Sequence, residues 1–364
     1  MASGTMAPRS AVAEVQGATP PSPAPALSAG LVAVNRYRLL GLLAGIAALA
    51  LVLWLSLVVG SKDVDVAALW PAITANDGSP EHVIIGDLRL PRTVTGMVVG
   101  VALGLSGALI QALTRNPLAD PGVLGVNAGA GFFVVLGVAL FGVTSIHEYI
   151  WFSFAGAVVA TVAVYFIGSR GRGGATPLRL TLAGVALGAV LGGISSGITL
   201  LRPGVFDSMR SWGAGTLSNR TWEIFTAVAP FIIVGTLIAL ALARPLNAVA
   251  MGDDTARSLG TNIVRTRVWT IVSVTLLCGA ATAAAGPIGF VGLMIPHVAR
   301  WIVGPDQRWI LAYTLLLSPV LLLVSDIAGR LVLRPAEMQV GIITAFIGAP
   351  VLIWLIRRRK VSTL

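Results

Sequence analysis

The sequence predicts an all-α, polytopic membrane protein. Three observations carry this reading. Mean hydropathy is +0.88, with 56% hydrophobic and only 11% charged residues. Apolar runs of membrane-crossing length recur along the 364 residues, and much of the glycine, 42 residues, sits inside them. A soluble domain carries about 25% charged residues, and a water-soluble fold of this size could not hide so much apolar surface. Lipid requires each backbone polar group to be satisfied internally, which selects helices. The net charge of +10 is scattered over short loops. It forms no patch with stacking aromatics, so no nucleic-acid partner is expected.

Residues 1–35 are rich in Ala, Pro and Ser and read as a disordered cytoplasmic tail. They lack the basic stretch and apolar core of a secretory signal peptide. The run 39–60 has the length of a full crossing, about 20 residues, and reads as a retained first helix. Further spans are expected over 93–113, 124–143, 149–168, 180–201, 223–243, 268–286, 288–303, 309–329 and 339–356. These place a ten-helix domain over 36–360. Two sets of five give halves of opposite orientation, an inverted pseudo-repeat of the kind transporters use. Its trace is faint: LSGA at 105–108 and LCGA at 277–280 both lead into Gly/Pro-broken segments.

Lys/Arg bias orients the chain. With both termini on the cytoplasmic side, most of the 25 basic residues fall there, including the terminal Arg357-Arg358-Arg359-Lys360 cluster. Acidic residues gather in the first outer loop. The result is a multi-pass protein of the cytoplasmic (inner) membrane. Small residues let helices approach closely. Gly100, Gly104 and Gly107 form such a face in the second span, and Gly184, Gly188 and Gly192 in the fifth; tight helix packing is the reading for both. The one cysteine, Cys278, excludes an internal disulfide and reads as a packing residue.

The chemistry-bearing segments start with residues 89–131, where RLPR precedes the second span and a stiff turn, RNPLADPG at 115–122, follows it. Two crossings joined by such a turn suggest a transporter or channel. Asp326 and Arg330 stand four apart near the outer end of the ninth span, an interfacial i,i+4 pair or a functional charge. The preferred reading turns Arg330 to the outer surface with Arg89 and Arg92, three arginines able to receive a partner's carboxylates. Residues 244–267 form the longest inner connection, expected as two short helices, 245–251 and 253–259, broken at Gly252. Pro245 suits a first turn and the acidic pair Asp253-Asp254 a helix N-terminus. Such an elbow suits a soluble motor, or is an ordinary amphipathic loop. Residues 286–308 carry Pro287, Pro296 and Pro305, and a broken helix is tolerated only when buried in protein or lining a cavity. His297 reads there as a packing or hydrogen-bonding residue. Neither Lys62 nor Lys360 lies in a phosphate loop, so the chain is no P-loop ATPase. No metal cluster, cofactor site or catalytic constellation is expected, and an enzyme is disfavoured.

These residues resemble the FecCD family of ABC importer permeases, which carry ferric siderophores, haem or cobalamin. The blocks are RLPR at 89–92, SGALIQALTRNPLADPGVLGVNAGA at 106–130, LAGVALG at 182–188, GDDTARSLG at 252–260, GPIGFVGLMIPHVAR at 286–300 and EMQVGIITAFIGAPVLIWLI at 337–356. The resemblance implies a type II importer permease that dimerises with an identical or related chain around a central path. Two separate ATPase subunits would bind the inner face and a solute-binding protein the outer. It implies docking through Arg89, Arg92 and Arg330, and coupling through 245–260, with Pro245, Gly252, Asp254, Ala256, Leu259 and Gly260. The fifth helix and 202–222 would border the path, and Thr176 and Pro177 would lie near a gate. Within 202–222, GAGTLSNRTW leans toward siderophore over cobalamin or haem cargo. The other reading, an ion-coupled secondary transporter, has only Asp326 to offer as a coupling carboxylate.

Overall fold

A computed structural model describes residues 35–358 except 63, 76, 144 and 171–175. The expected tail, up to residue 34, and Arg359 and Lys360 of the terminal basic cluster lie outside the described residues. Among the described residues all regular structure is helical. Seven helices are long and apolar enough to cross a membrane: α1 (Asn35–Val58), α4 (Leu90–Thr114), α6 (Ile146–Ser169), α7 (Pro177–Leu201), α9 (Trp222–Ala241), α12 (Ile263–Ala285) and α14 (Gln307–Val332). Three shorter apolar helices, α5 (Val126–Phe141), α13 (Val291–Val303) and α15 (Val340–Arg358), fall on the remaining predicted spans.

The sequence reading did not resolve three short elements, but it did give the two of the elbow. α2 (Leu69–Thr74) and α3 (Pro80–Val83) lie between α1 and α4, and α8 (Pro203–Trp212) precedes α9. α10 (Ala243–Ala250) and α11 (Asp253–Ser258) form the elbow. Local chemistry sets many of the boundaries. Ser145 and Glu148 make a capping box at the start of α6, and Asn262 and Asp306 cap α12 and α14. Arg115 ends α4 in a left-handed conformation, φ 52°.

α4 and α12 are the central pair, buried over 78% of their apolar windows, and they carry the LSGA and LCGA blocks. α4 packs against α12, α14, α13 and α9, while α5, α6 and α7 form a flank. The close approach of α4 to α14 and α13 depends on its glycine face. A Cβ at Gly104 would overlap Ser318 Oγ, and one at Gly107 would overlap the Gly292 carbonyl oxygen. The obstacle at Gly107 is backbone and cannot rotate away.

The α7 glycines behave differently from the expectation of tight packing. Gly184 is buried, but a Cβ at Gly188 would sit 3.6 Å from Ala128, an ordinary contact, and one at Gly192 would meet nothing. Only 6% of the apolar window of α7 is buried. α7 packs on α5 and α6 along one side, with Gly188 toward Ala128 of α5, whereas Gly192 meets nothing within 4 Å among the described residues.

Candidate functional sites at the two ends of the bundle

The first site gathers Arg89, Arg92 and Arg330 at one end. Ile84–Arg89 is a π-helical turn leading into α4, with the Leu90 N–H bonded to the Ile85 carbonyl. Pro91 follows and offers no N–H, so a regular turn cannot be completed here. The wider turn directs Arg89 to the end of α1, where it donates to the carbonyls of Leu57 at 2.8 Å, Val58 at 2.6 Å and Lys62. A guanidinium suits that position, because the last carbonyls of a helix lack donors.

Arg92 grips Asp326 bidentately, Nη2 to Oδ1 at 2.7 Å and Nε to Oδ2 at 3.0 Å. Its Nη1 donates to Glu337 Oε2 at 2.7 Å. Arg330 pairs with the same Asp326 and donates to the Ser56 carbonyl at 2.8 Å and Ser56 Oγ at 3.1 Å. The expected outward turn of Arg330 is therefore corrected. The residue is 1% exposed, and Asp326 holds it inward against α1. An apolar helix end gives a guanidinium few acceptors, whereas Asp326 and Ser56 satisfy it internally. Arg89 and Arg92 are also buried.

Glu337, in the α14–α15 connection, also accepts from Ser218 Oγ at 2.9 Å and Ser61 Oγ at 3.4 Å. It thus ties three connections to α4. Burial alone would raise its pKa, but the Arg92 charge and the bonds from Arg92 and Ser218 outweigh this and hold it below the usual range. Arg220 lies close by, 3% exposed, and donates to the carbonyls of Thr216 and Ser218. Burial, and then the neighbouring Arg92 charge, pull its pKa down to about 10. A cavity of about 410 Å³ opens among Lys62, Arg89, Arg92, Asn219, Arg330 and Glu337.

The second site is the elbow at the opposite end. The break between α10 and α11 falls at Gly252, whose φ of 113° and ψ of 151° suit glycine alone. Pro245 lies in the first turn of α10, and Gly260, φ 77°, closes α11. Leu246, Val249 and Ala256 are buried against the bundle, while Met251, Asp254 and Leu259 are exposed. Among the described residues Asp254 pairs only with Arg257, at 2.9 Å, on the exposed face.

The elbow is fastened to three central helices. Arg115, at the end of α4, donates to the Val249 carbonyl at 2.9 Å and pairs with Asp253. Arg267 of α12 pairs with the other Asp253 oxygen at 2.8 Å. Asn247 donates to Asp306 at 2.7 Å and accepts from the Gln307 N–H, joining α10 to α14. Asp253 is partly buried, which would raise its pKa; the Arg115 bond and the Arg267 and Arg115 charges prevail and lower it. The 115–122 turn, read as structural, thus supplies one of these fastenings.

Thr176 caps α7, accepting from the Arg179 N–H at 3.4 Å, next to Pro177 at the first helical position. Two polar sites escaped sequence reasoning. Pro296 removes the N–H that would serve the Gly292 carbonyl inside α13. Gln111 of α4 fills the gap: its Nε2 donates to the carbonyls of Leu293 at 3.0 Å and Gly292 at 3.4 Å, and its Oε1 accepts from Arg300. The broken helix is therefore buried in protein at this point. Asn127 Oδ1 accepts from Thr282 Oγ1 at 2.9 Å, with Cys278 Sγ at 3.6 Å, which gives the buried cysteine a polar neighbour. The only sequence signal for either site was a single amide within an apolar run.

Comparison with known proteins gives this geometry a family. The FecCD transport family matches residues 48–358. The chain is 52% identical over 305 residues to the ferric enterobactin transport system permease protein FepD of Escherichia coli (strain K12), covering 84% of this chain and 91% of FepD. It is 39% identical over 303 residues to a probable siderophore transport system permease protein, YfiZ, of Bacillus subtilis (strain 168), covering 83% and 91%. A solved metal-chelate type ABC transporter in an inward-facing conformation superposes with a TM-score of 0.78 at 26% identity, covering 87% of this chain and 99% of that one. The chain is an all-helical, multi-pass membrane permease, and it belongs to the FecCD transport family.

Proposed function

We propose that this chain is the permease subunit of an ATP-binding cassette importer that moves a ferric siderophore across the cytoplasmic membrane by alternating access. The 52% identity to FepD over most of both chains carries the cargo class. In this reading the three shorter helices also cross, giving ten spans. Both termini and the elbow face the cytoplasm, and the arginine site faces outward.

Two ATPase subunits would seat on the exposed face of the elbow, around Asp254, Leu259 and Gly260. Its fastenings to α4, α12 and α14 support this, because a push on the elbow reaches three central helices. A solute-binding protein would dock at the cavity among Arg89, Arg92 and Arg330. The buried arginines act there as a fixed positive field at the floor of the surface, not as free side chains. A second permease chain would cover the exposed face of α7 around Gly192, with the path between the two copies and Thr176 and Pro177 near its inner gate. Covalent chemistry would stay on the ATPase subunits; this chain supplies two conformations whose balance the partners bias.

The test is ATP turnover by the permease assembled with its ATPase in lipid nanodiscs. A siderophore-loaded binding protein is expected to raise turnover, and charge reversal of exposed Asp254 to remove the effect. An ATPase that neither binds the permease nor responds to the loaded binding protein would reject the assignment.

A further inference from the structure

Arg92 and Arg330 lie at one end of the bundle around two carboxylates, Asp326 and Glu337, with Arg220 near Arg92. The two acids are not equivalent. The Asp326 side chain is 1% exposed and held by two guanidiniums, so removing it would leave Arg330 buried without a paired carboxylate and Arg92 with Glu337 alone. The Glu337 side chain is 25% exposed, borders the cavity, and takes one guanidinium nitrogen and two hydroxyls. Arg220 adds a third buried cation with no carboxylate bonded to it among the described residues.

We propose that Glu337 is a resident stand-in for a partner's carboxylate: it occupies Arg92 while the site is empty and yields that place when a docking protein presents its own acidic side chain. The proposal rests on the docking reading above. The exchange is physically inexpensive, because one carboxylate replaces another and Arg92 is never left unpaired. Released Glu337 needs only to swing into the cavity it already borders. Its loop would then lose the ties to Ser61, Ser218 and Arg92 together. That loop leads directly into α15, whose Gly341 N–H bonds the Gly215 carbonyl at 3.1 Å. Docking would in this way reach α15 and the α8–α9 connection through one displaced side chain.

The test measures binding of the solute-binding protein to the permease–ATPase complex in nanodiscs, for the wild type, Arg92→Gln and Glu337→Gln. If Glu337 competes with the partner, Glu337→Gln tightens docking by about tenfold, the equivalent of about 1.4 kcal/mol, while Arg92→Gln weakens it. A structural salt bridge would instead make Glu337→Gln weaken docking or leave it unchanged, which overturns the proposal while leaving the docking site in place. Docking indifferent to both variants, and to charge reversal of Arg89, Arg92 and Arg330 together, rejects the docking reading itself. Hydrogen exchange on the wild-type complex gives a second reading free of folding effects. Amides of 336–341 should exchange faster when the binding protein is bound; unchanged or slower exchange overturns the proposal.

Discussion

Replacing Asp326 with asparagine tests the charge network around Arg92 and Arg330 most severely. The side chain is almost fully buried and serves two guanidiniums, Arg92 at 2.7 Å and Arg330. Asparagine keeps the shape and one oxygen but removes the charge. Breaking a buried pair by deleting one partner costs about 3–5 kcal/mol, because the remaining charge stays desolvated. Here the loss falls unevenly. Arg92 keeps Glu337, whereas among the described residues Arg330 keeps only Ser56 and the Val59 carbonyl as hydrogen-bond partners. The expected cost is therefore about 3–5 kcal/mol, dominated by Arg330. Arg330→Met should cost less, since Asp326 retains Arg92, and the double variant Asp326→Asn/Arg330→Met should recover part of the loss. Denaturant-driven unfolding in mixed micelles, followed by tryptophan fluorescence, gives the ranking. Wild-type stability in Asp326→Asn, or a greater loss in Arg330→Met, would refute the reasoning.

Three further outcomes follow from the same geometry. Gly252→Ala places a side chain where φ is 113°, with only an ordinary contact to Thr255 Oγ1 at 3.9 Å, so about 1–3 kcal/mol of backbone strain acts without a clash; ATP turnover should persist while uptake per ATP falls, and intact coupling would count against the elbow. Gln111→Leu leaves the Gly292 and Leu293 carbonyls and Arg300 without their partner, which should cost about 1–3 kcal/mol in the same unfolding assay; a neutral result would mean another donor serves the break in α13. Asp253 has a lowered pKa, so its stabilising contribution is complete above the ordinary carboxylate range and is lost as pH falls through the lowered value. The stability difference between wild type and Asp253→Asn should stay constant from about pH 7 to about pH 5 and close only below about pH 4; closure near neutral pH would contradict the pairing.

The seven long apolar helices were legible because apolar runs of about 20 residues leave few alternatives to crossing helices. The elbow was legible for a local reason: Gly252 flanked by Pro245 and Asp253 announces a break between two helix starts. The inward turn of Arg330 was not, because spacing gives its pairing with Asp326 but says nothing of Ser56, 274 residues away in sequence. Gln111 was hidden in the same way, its partners lying 181 and 182 residues along the chain. The two glycine stripes look alike in sequence, yet Gly104 and Gly107 are closely packed by α14 and α13, while Gly188 makes only an ordinary contact with Ala128 of α5 and Gly192 meets nothing within 4 Å. Periodicity marks a face but not its occupant. α2, α3 and α8 were missed because each is short and carries no long apolar run.

Transport itself is the most direct measure of the central claim. The permease is reconstituted in proteoliposomes with the proposed ATPase and siderophore-binding protein, the binding protein outside, ATP enclosed, and a radiolabelled ferric siderophore as cargo. The account predicts uptake that needs both ATP and the binding protein and continues after ion gradients are collapsed. Uptake driven by a proton or sodium gradient with no ATPase present would contradict it.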